Sequence, residues 1–396
     1  LKNIMEIVNK KSLIYLFGYL TTVINYLTRR GIGVILPIIS KALSVPVQSL
    51  VFVQSFFGLS RTIVCLFTGP WFDKNPRIMF KIGVFLQLIS VCLIILFQNH
   101  YHIFISSLLF LALGYVILSL SIWNILTRSV GYGRTYDVMW VGVGMSSGPI
   151  IMLNIIYILK SSTITMIFLT YGILLLIAAS LFLYFTKDID VRKGETSSYK
   201  KLFSNMLNLS IIRSIPILSL SVSADVTIAV FTIYMMSLGF TFFEASLYTV
   251  IVYATSSIVS RFIFSWIGYN YGSKNAMLIG MIVCSIAWLC AINPNFVILS
   301  LILLGLGTGS GSINVFPYIA DKYGRTFYFA NYSVFAVYGG LFEGSMVWLS
   351  SLILSITKNY NFVFTFMVIL MIICFIIIHA DKTGYIDRIN GVKIRD

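Results

Sequence analysis

"KDIDVRKGETSSYKKLFSN", residues 187–205, is the longest polar interval in a chain that is otherwise overwhelmingly apolar. On either side of it, predominantly apolar stretches of about 20 residues recur, each long enough to cross a hydrocarbon core of roughly 30 Å as a helix. Six precede it, over 12–40, 47–72, 77–97, 101–123, 135–158 and 163–186. Six follow, over 211–238, 243–268, 274–293, 295–320, 326–356 and 360–381. The pattern predicts an all-α membrane protein of twelve transmembrane helices in two six-helix bundles. Its expected divisions are 1–186, a linker at 187–210, and 211–396.

Composition agrees. Of 396 residues, 58% are hydrophobic and 10% charged, where a soluble domain carries roughly a quarter charged. The first apolar stretch is too long for a signal-peptide core and lacks a small-residue cleavage site, so it is expected to be retained as a helix. With the N-terminus placed in the cytoplasm, 21 of the 28 Lys and Arg fall on cytoplasmic segments. Lys41, Lys160 and Lys358 fall outside, while Arg29, Arg30, Arg61 and Arg261 lie within spans. That bias predicts both termini in the cytoplasm and an integral protein of the plasma (inner) membrane. The net charge of +15 is then mostly a topology signal with some attraction to anionic lipid, and implies no nucleic-acid partner.

Several classes of chemistry drop out. All five cysteines fall in predicted spans, so no disulfide framework is implied. The three histidines form no cluster with metal spacing, and neither a P-loop nor an HExxH motif occurs. No metal, no cofactor and no enzymatic activity are expected.

"GPWFDKNPR", residues 69–77, joins the second and third spans on the predicted cytoplasmic side. It resembles the loop signature of the major facilitator superfamily, Gly-x-x-x-Asp-Arg/Lys-x-Gly-Arg. The resemblance implies a cytoplasmic gate made by Gly69, Asp73, Lys74 and Arg77; a charged turn that only fixes topology is the plainer alternative. The matching loop of the second half, "SWIGYNYGSK" at 265–274, has Tyr269 where an Asp belongs, which implies a weaker latch. Parallel six-span repeats with the substrate between them are that superfamily's layout.

Within the superfamily, three segments are similar to the oxalate/formate antiporter and monocarboxylate transporter families. "FTGPWFDKNPR" ends in Pro-Arg as they do. Residues 305–340, "GLGTGSGSINVFPYIADKYGRTFYFANYSVFAVYGG", carry a Gly-rich helix, a Pro, an acidic residue, an aromatic-Gly pair and Asn-Tyr in the same order. "SRFIFSWIG" resembles their eighth helix, where an Arg contacts the substrate carboxylate. One departure stands out. The oxalate carriers have a Lys in the eleventh helix, where this chain has Gly339 or Gly340. Oxalate itself is therefore disfavoured, and a monocarboxylate or a bulkier acid takes its place.

Six ionisable residues lie deep in spans: Arg29, Arg30, Arg61, Asp225, Arg261 and Glu343. Each costs at least about 2.5–3.5 kcal/mol at a helix centre, so each should face a bundle interior or a water-filled cavity. Four are cations and two anions, and a cavity with uncompensated cations attracts an anion. Tyr253, Ser257, Arg261 and Ser265 stand at i, i+4, i+8 and i+12, one polar stripe on one helix face. A guanidinium fork among hydroxyls is a good carboxylate receptor. Arg261, Tyr253 and Ser257 are thus expected to bind substrate, unless Arg261 is tied permanently to Asp225 on the neighbouring helix. Arg30 resembles a basic first-helix residue of monocarboxylate carriers and is expected as a gate or second anion ligand, with Arg29 pairing across helices or snorkelling. Arg61 either repeats the role of Arg261 or pairs with Glu343. Asp225 and Glu343 can carry a coupling proton, since a carboxylate that loses its Arg partner gains one more easily; fixed ion pairs are the alternative.

The expected function is secondary transport of a small organic anion, monocarboxylate-like, by a monomer working through alternating access with proton symport or anion exchange. A drug or sugar carrier on the same fold and a non-transporting membrane sensor are the rivals. Net positive charge in the cavity disfavours cationic drugs, the shortage of Asn and Gln in the spans weighs against sugars, and no receptor domain accompanies the spans.

Overall fold

A computed structural model describes residues 2–130, 135–159, 163–187, 199, 203, 206, 208–323 and 328–381. Most of the 187–210 linker therefore lies outside the described residues. The helices are α1 (Lys2–Arg29), α2 (Gly31–Leu43), α3 (Ser55–Lys74), α4 (Pro76–Leu96), α5 (Tyr101–Val130), α6 (Thr135–Leu159), α7 (Ile164–Thr186) and α8 (Leu209–Ser214). There follow α9 (Ser219–Ser237), α10 (Phe242–Leu247), α11 (Tyr253–Tyr271), α12 (Ser273–Ala291), α13 (Val297–Tyr323), α14 (Tyr328–Thr357) and α15 (Tyr360–Ala380). Ten stretches of the described residues are long and apolar enough to cross a membrane. The two remaining spans are the first, α1 with α2, and the fifth, α6, whose apolar part is Gly142–Ile158. Twelve spans result, with edges close to those expected.

Interruptions fall where the sequence supplies a cause. A 3-10 segment, Val47–Gln54, begins after Pro46 and feeds α3. Gly272, with φ of +90°, makes the sharp turn from α11 into α12 that a side chain would strain. The first span breaks at Arg30, between α1 and Gly31. The Arg30 amide still bonds the Tyr26 carbonyl at 3.2 Å, so chain direction is kept through the break. In the eighth span a π turn, Tyr248–Val252, sits immediately before Tyr253; such turns re-aim the residues that follow.

The two bundles meet chiefly through three span pairs: first with seventh, second with eleventh, and fifth with eighth. The last two exchange under the swap that relates the halves, as expected of parallel repeats. Glycines let the second and eleventh spans touch backbone to backbone. A Cβ on Gly340 would stand 2.5 Å from the Gly58 carbonyl oxygen, a distance no real Cβ tolerates, and the Thr62 hydroxyl donates to the Val337 carbonyl at 2.8 Å. The Gly-rich tenth span works the same way inside the second bundle, where a Cβ on Gly305 would meet the Tyr253 carbonyl at 2.5 Å.

Away from the linker, the halves are shut. There Val47–Gln54 packs on α14 and α2 packs on α9, with Gly33 pressed against Ile228. Between the membrane middle and the linker end lies a cavity of about 70 Å³, whose wall includes Tyr26, Tyr115, Trp123, Leu218, Val315 and Phe335.

Candidate functional site

All six intramembrane ionisable residues are kept from lipid. Arg29, Arg30, Asp225, Arg261 and Glu343 are buried, and the Arg61 side chain is 16% exposed. Four of them form a neutral set across the interface between the halves. Arg29 Nη2 lies 2.6 Å from Asp225 Oδ2 and 3.6 Å from Glu343 Oε2. Arg61 Nη1 lies 2.9 Å from Glu343 Oε2, an ion pair by distance whose angle falls short of a hydrogen bond. In each pair the cation comes from the first half and the anion from the second. The Arg29 guanidinium also stands 5.9 Å from the Tyr115 ring centroid, and Gln54 caps the Arg29 carbonyl at 2.8 Å.

Asp225 therefore belongs to Arg29 and not to Arg261. Glu343 lies against Arg61, the pairing named above as one alternative for that residue. What remains are two cations without a carboxylate. Arg261 is completely buried, and its Nε, Nη1 and Nη2 all lack a hydrogen-bond partner. Arg30 is 6% exposed, with Nε and Nη1 unpartnered and the Tyr26 ring centroid 5.8 Å from its Cζ. Buried polar groups without partners are rare, and each calls for an explanation.

The stripe Tyr253, Ser257, Arg261 and Ser265 is wholly buried, as its spacing predicted. The Tyr253 hydroxyl shares a 2.9 Å hydrogen bond with Thr308 Oγ1. Ser146 Oγ on the fifth span donates to Ser257 Oγ at 2.8 Å, and one turn away on that span a Cβ on Gly142 would sit 3.5 Å from Arg261 Nη1. Ser146 and Gly142 thus face the stripe across the interface, and neither was singled out in the sequence. Small uncharged residues give no signal by themselves; only the helix pairing shows that they stand opposite an arginine.

Arg61 on the second span faces Glu343 on the eleventh, whereas Arg261 on the eighth faces Gly142 on the fifth. Arg29, Arg30 and Arg61 line the cavity, whereas Arg261, Tyr253 and Ser257 lie outside its wall. Among its lining residues no carboxylate appears.

Gly69 is buried and Lys74 exposed, and the Asp73 side chain lies outside the described residues. Arg77 donates to the Thr186 carbonyl at the end of the sixth span, and Asn124 of the fourth donates to the Phe72 carbonyl at 2.6 Å. Both contacts stay within the first half. In the second half Tyr269 is 61% exposed. An unforeseen cluster ties that end instead: Lys322 pairs with Asp381 and donates to Ser214 Oγ at 2.8 Å, and Lys274 donates to the Asp381 carbonyl at 2.6 Å.

Twelve spans in two halves that meet across mid-membrane ion pairs make a polytopic α-helical membrane protein of two six-helix bundles. The sequence model of the Major Facilitator Superfamily matches residues 18–248, more than half of the chain, and the chain belongs to that superfamily. No curated protein matches it in sequence. Among solved structures it is similar to the human organic anion transporter MFSD10 (TETRAN), with TM-score 0.69, 12% identity, and 93% of this chain and 99% of that one covered. It is also similar to the transporter FucP in its outward conformation, with TM-score 0.64, 14% identity, and 92% and 99% covered. A variant of the E. coli fucose:proton symporter FucP aligns with TM-score 0.60, 14% identity, and 94% and 98% covered. At these identities the likeness establishes the fold.

Proposed function

We propose that this carrier moves a small organic anion of carboxylate type by alternating access, that Arg261 with Tyr253 and Ser257 holds the carboxylate, and that Arg30 is a second anion ligand. The observation that carries the reading is the solitary Arg261 guanidinium. Arg61 has a carboxylate 2.9 Å away, while Arg261 has three unpartnered nitrogens in a fully buried place. A guanidinium cannot shed its charge, so the missing acid is read as the substrate's own. MFSD10, which shares the fold, is an organic anion transporter, in keeping with this reading. Gly339 and Gly340, where the oxalate carriers have a Lys, keep oxalate disfavoured and a monocarboxylate or bulkier acid favoured.

Coupling is read from the paired acids. Opening the closed end separates Arg29 from Asp225 and Arg61 from Glu343, since each pair bridges the halves. A proton on either acid lowers the cost of that separation, which makes proton symport or exchange the mode. The carrier works as a monomer in the plasma membrane with 1–186 and 211–396 as its rocking units, the linker and both termini cytoplasmic, and Gly69, Asp73, Lys74 and Arg77 as the cytoplasmic gate. In that orientation the cavity faces the cytoplasm.

Uptake by proteoliposomes of a panel of labelled carboxylates, at two pH values, tests the reading. Arg261→Lys keeps the charge but loses the bidentate fork, so partial transport is expected; Arg261→Ala should transport none. Wild-type affinity in Arg261→Ala would make Arg261 structural and remove the site.

A further inference from the structure

We propose that the occupied site takes a dianion, a short dicarboxylate with one carboxylate on Arg30 and the other on Arg261. The proposal rests on the anion-carrier reading above and narrows its substrate from one anionic group to two.

Charge is the first argument. Arg29 and Arg61 are neutralised by Asp225 and Glu343, which leaves Arg30 and Arg261 as the two buried cations of the interface without an acid among the described residues. A single carboxylate completes one guanidinium fork. The other cation would stay buried and uncompensated, which is costly. Two carboxylates bring the occupied site to neutrality.

Position is the second. The fifth span runs between the first and the eighth: Gly31, next to Arg30, abuts Met152, while Arg261 abuts Gly142. The two arginines come from different halves, and the Arg30 charge acts directly on Arg261, so the two carboxylates of one short acid can meet both. Tyr26, beneath Arg30, and the stripe hydroxyls of Tyr253 and Ser257 supply polar surface near each. The eleventh span adds no third cation, carrying Gly339 and Gly340 there.

The cavity gives the order of events. It reaches Arg30, stops short of Arg261 and has a volume of about 70 Å³. Arg30 takes the first carboxylate. Movement of the halves brings the second to Arg261, and the ligand then bridges the first and eighth spans.

The test is binding to the purified full chain, with folding of each variant checked by size-exclusion elution. The probes are malonate, succinate and glutarate, monocarboxylates of equal carbon number, and neutral succinamide. At least one diacid should bind tenfold or more tighter than its matched monoacid, and succinamide should not bind. Arg30→Gln should reduce that diacid to the affinity of its monoacid, and Arg30→Lys should retain part of the preference. A folded Arg261→Gln should lose the preference as well. Equal affinity of every diacid and its monoacid, with binding still abolished in Arg261→Gln, would overturn the dianion and leave the anion carrier standing. Binding of no acid at all would overturn both.

Discussion

Arg61 and Arg261 both lie where the two halves meet, yet one meets Glu343 and the other meets Gly142. The pair and the solitary cation should respond oppositely to mutation. Glu343→Gln leaves Arg61 buried without a charge partner, and breaking one side of a buried pair costs about 3–5 kcal/mol. Removing both, Arg61→Leu with Glu343→Leu, should recover most of that loss. Thermal unfolding of wild type, the single variant and the double variant checks it; a single variant as stable as wild type would show the pair to be idle. The sequence made all six intramembrane charges conspicuous, because an ionisable residue in an apolar run needs a reason. It could not say who pairs with whom. Asp225 stood as a candidate for Arg261 because their helices are neighbours in sequence, and the structure gives it to Arg29, because the first and seventh spans meet across the interface. Pairing is a property of helix contacts, and those are not written in either helix alone.

The spans themselves were legible nearly end to end, since hydrocarbon thickness sets their length and polar turns bound them. Their internal breaks were not. Nothing in "NYLTRRGIGVILP" forces the break at Arg30, and the π turn at Tyr248–Val252 lies in an unremarkable apolar run. The glycines were legible as contacts but not by partner. Gly340 and Gly344 in the eleventh span meet Gly58 and Leu59 in the second, so bulk there should force the closed end apart. Gly340→Leu should cost about 1–3 kcal/mol, the usual penalty of overpacking, and should raise thiol-reagent labelling of a cysteine placed at Gln54, which is buried at that closed end. Unchanged labelling would mean that the second and eleventh spans do not seal this face.

For the whole molecule, two expectations follow from charge. The linker carries much of the Lys and Arg bias, so a cysteine replacing Ser197 should resist a membrane-impermeant thiol reagent in sealed right-side-out vesicles, and rapid labelling would invert the proposed orientation. The second concerns the central claim, that Arg261 is a cation whose acid is supplied by the substrate. Gly142→Asp tests it most directly, because the new Cβ would stand in ordinary contact, 3.5 Å from Arg261 Nη1, giving the fifth span a carboxylate beside that cation. The measurement is the thermal midpoint of wild type and Gly142→Asp, each with and without the best-bound carboxylate. Wild type should be stabilised by the acid. Gly142→Asp should have the higher midpoint without ligand and gain nothing from the acid, its own carboxylate holding the place. A variant that is less stable than wild type and still stabilised by the acid would contradict the account.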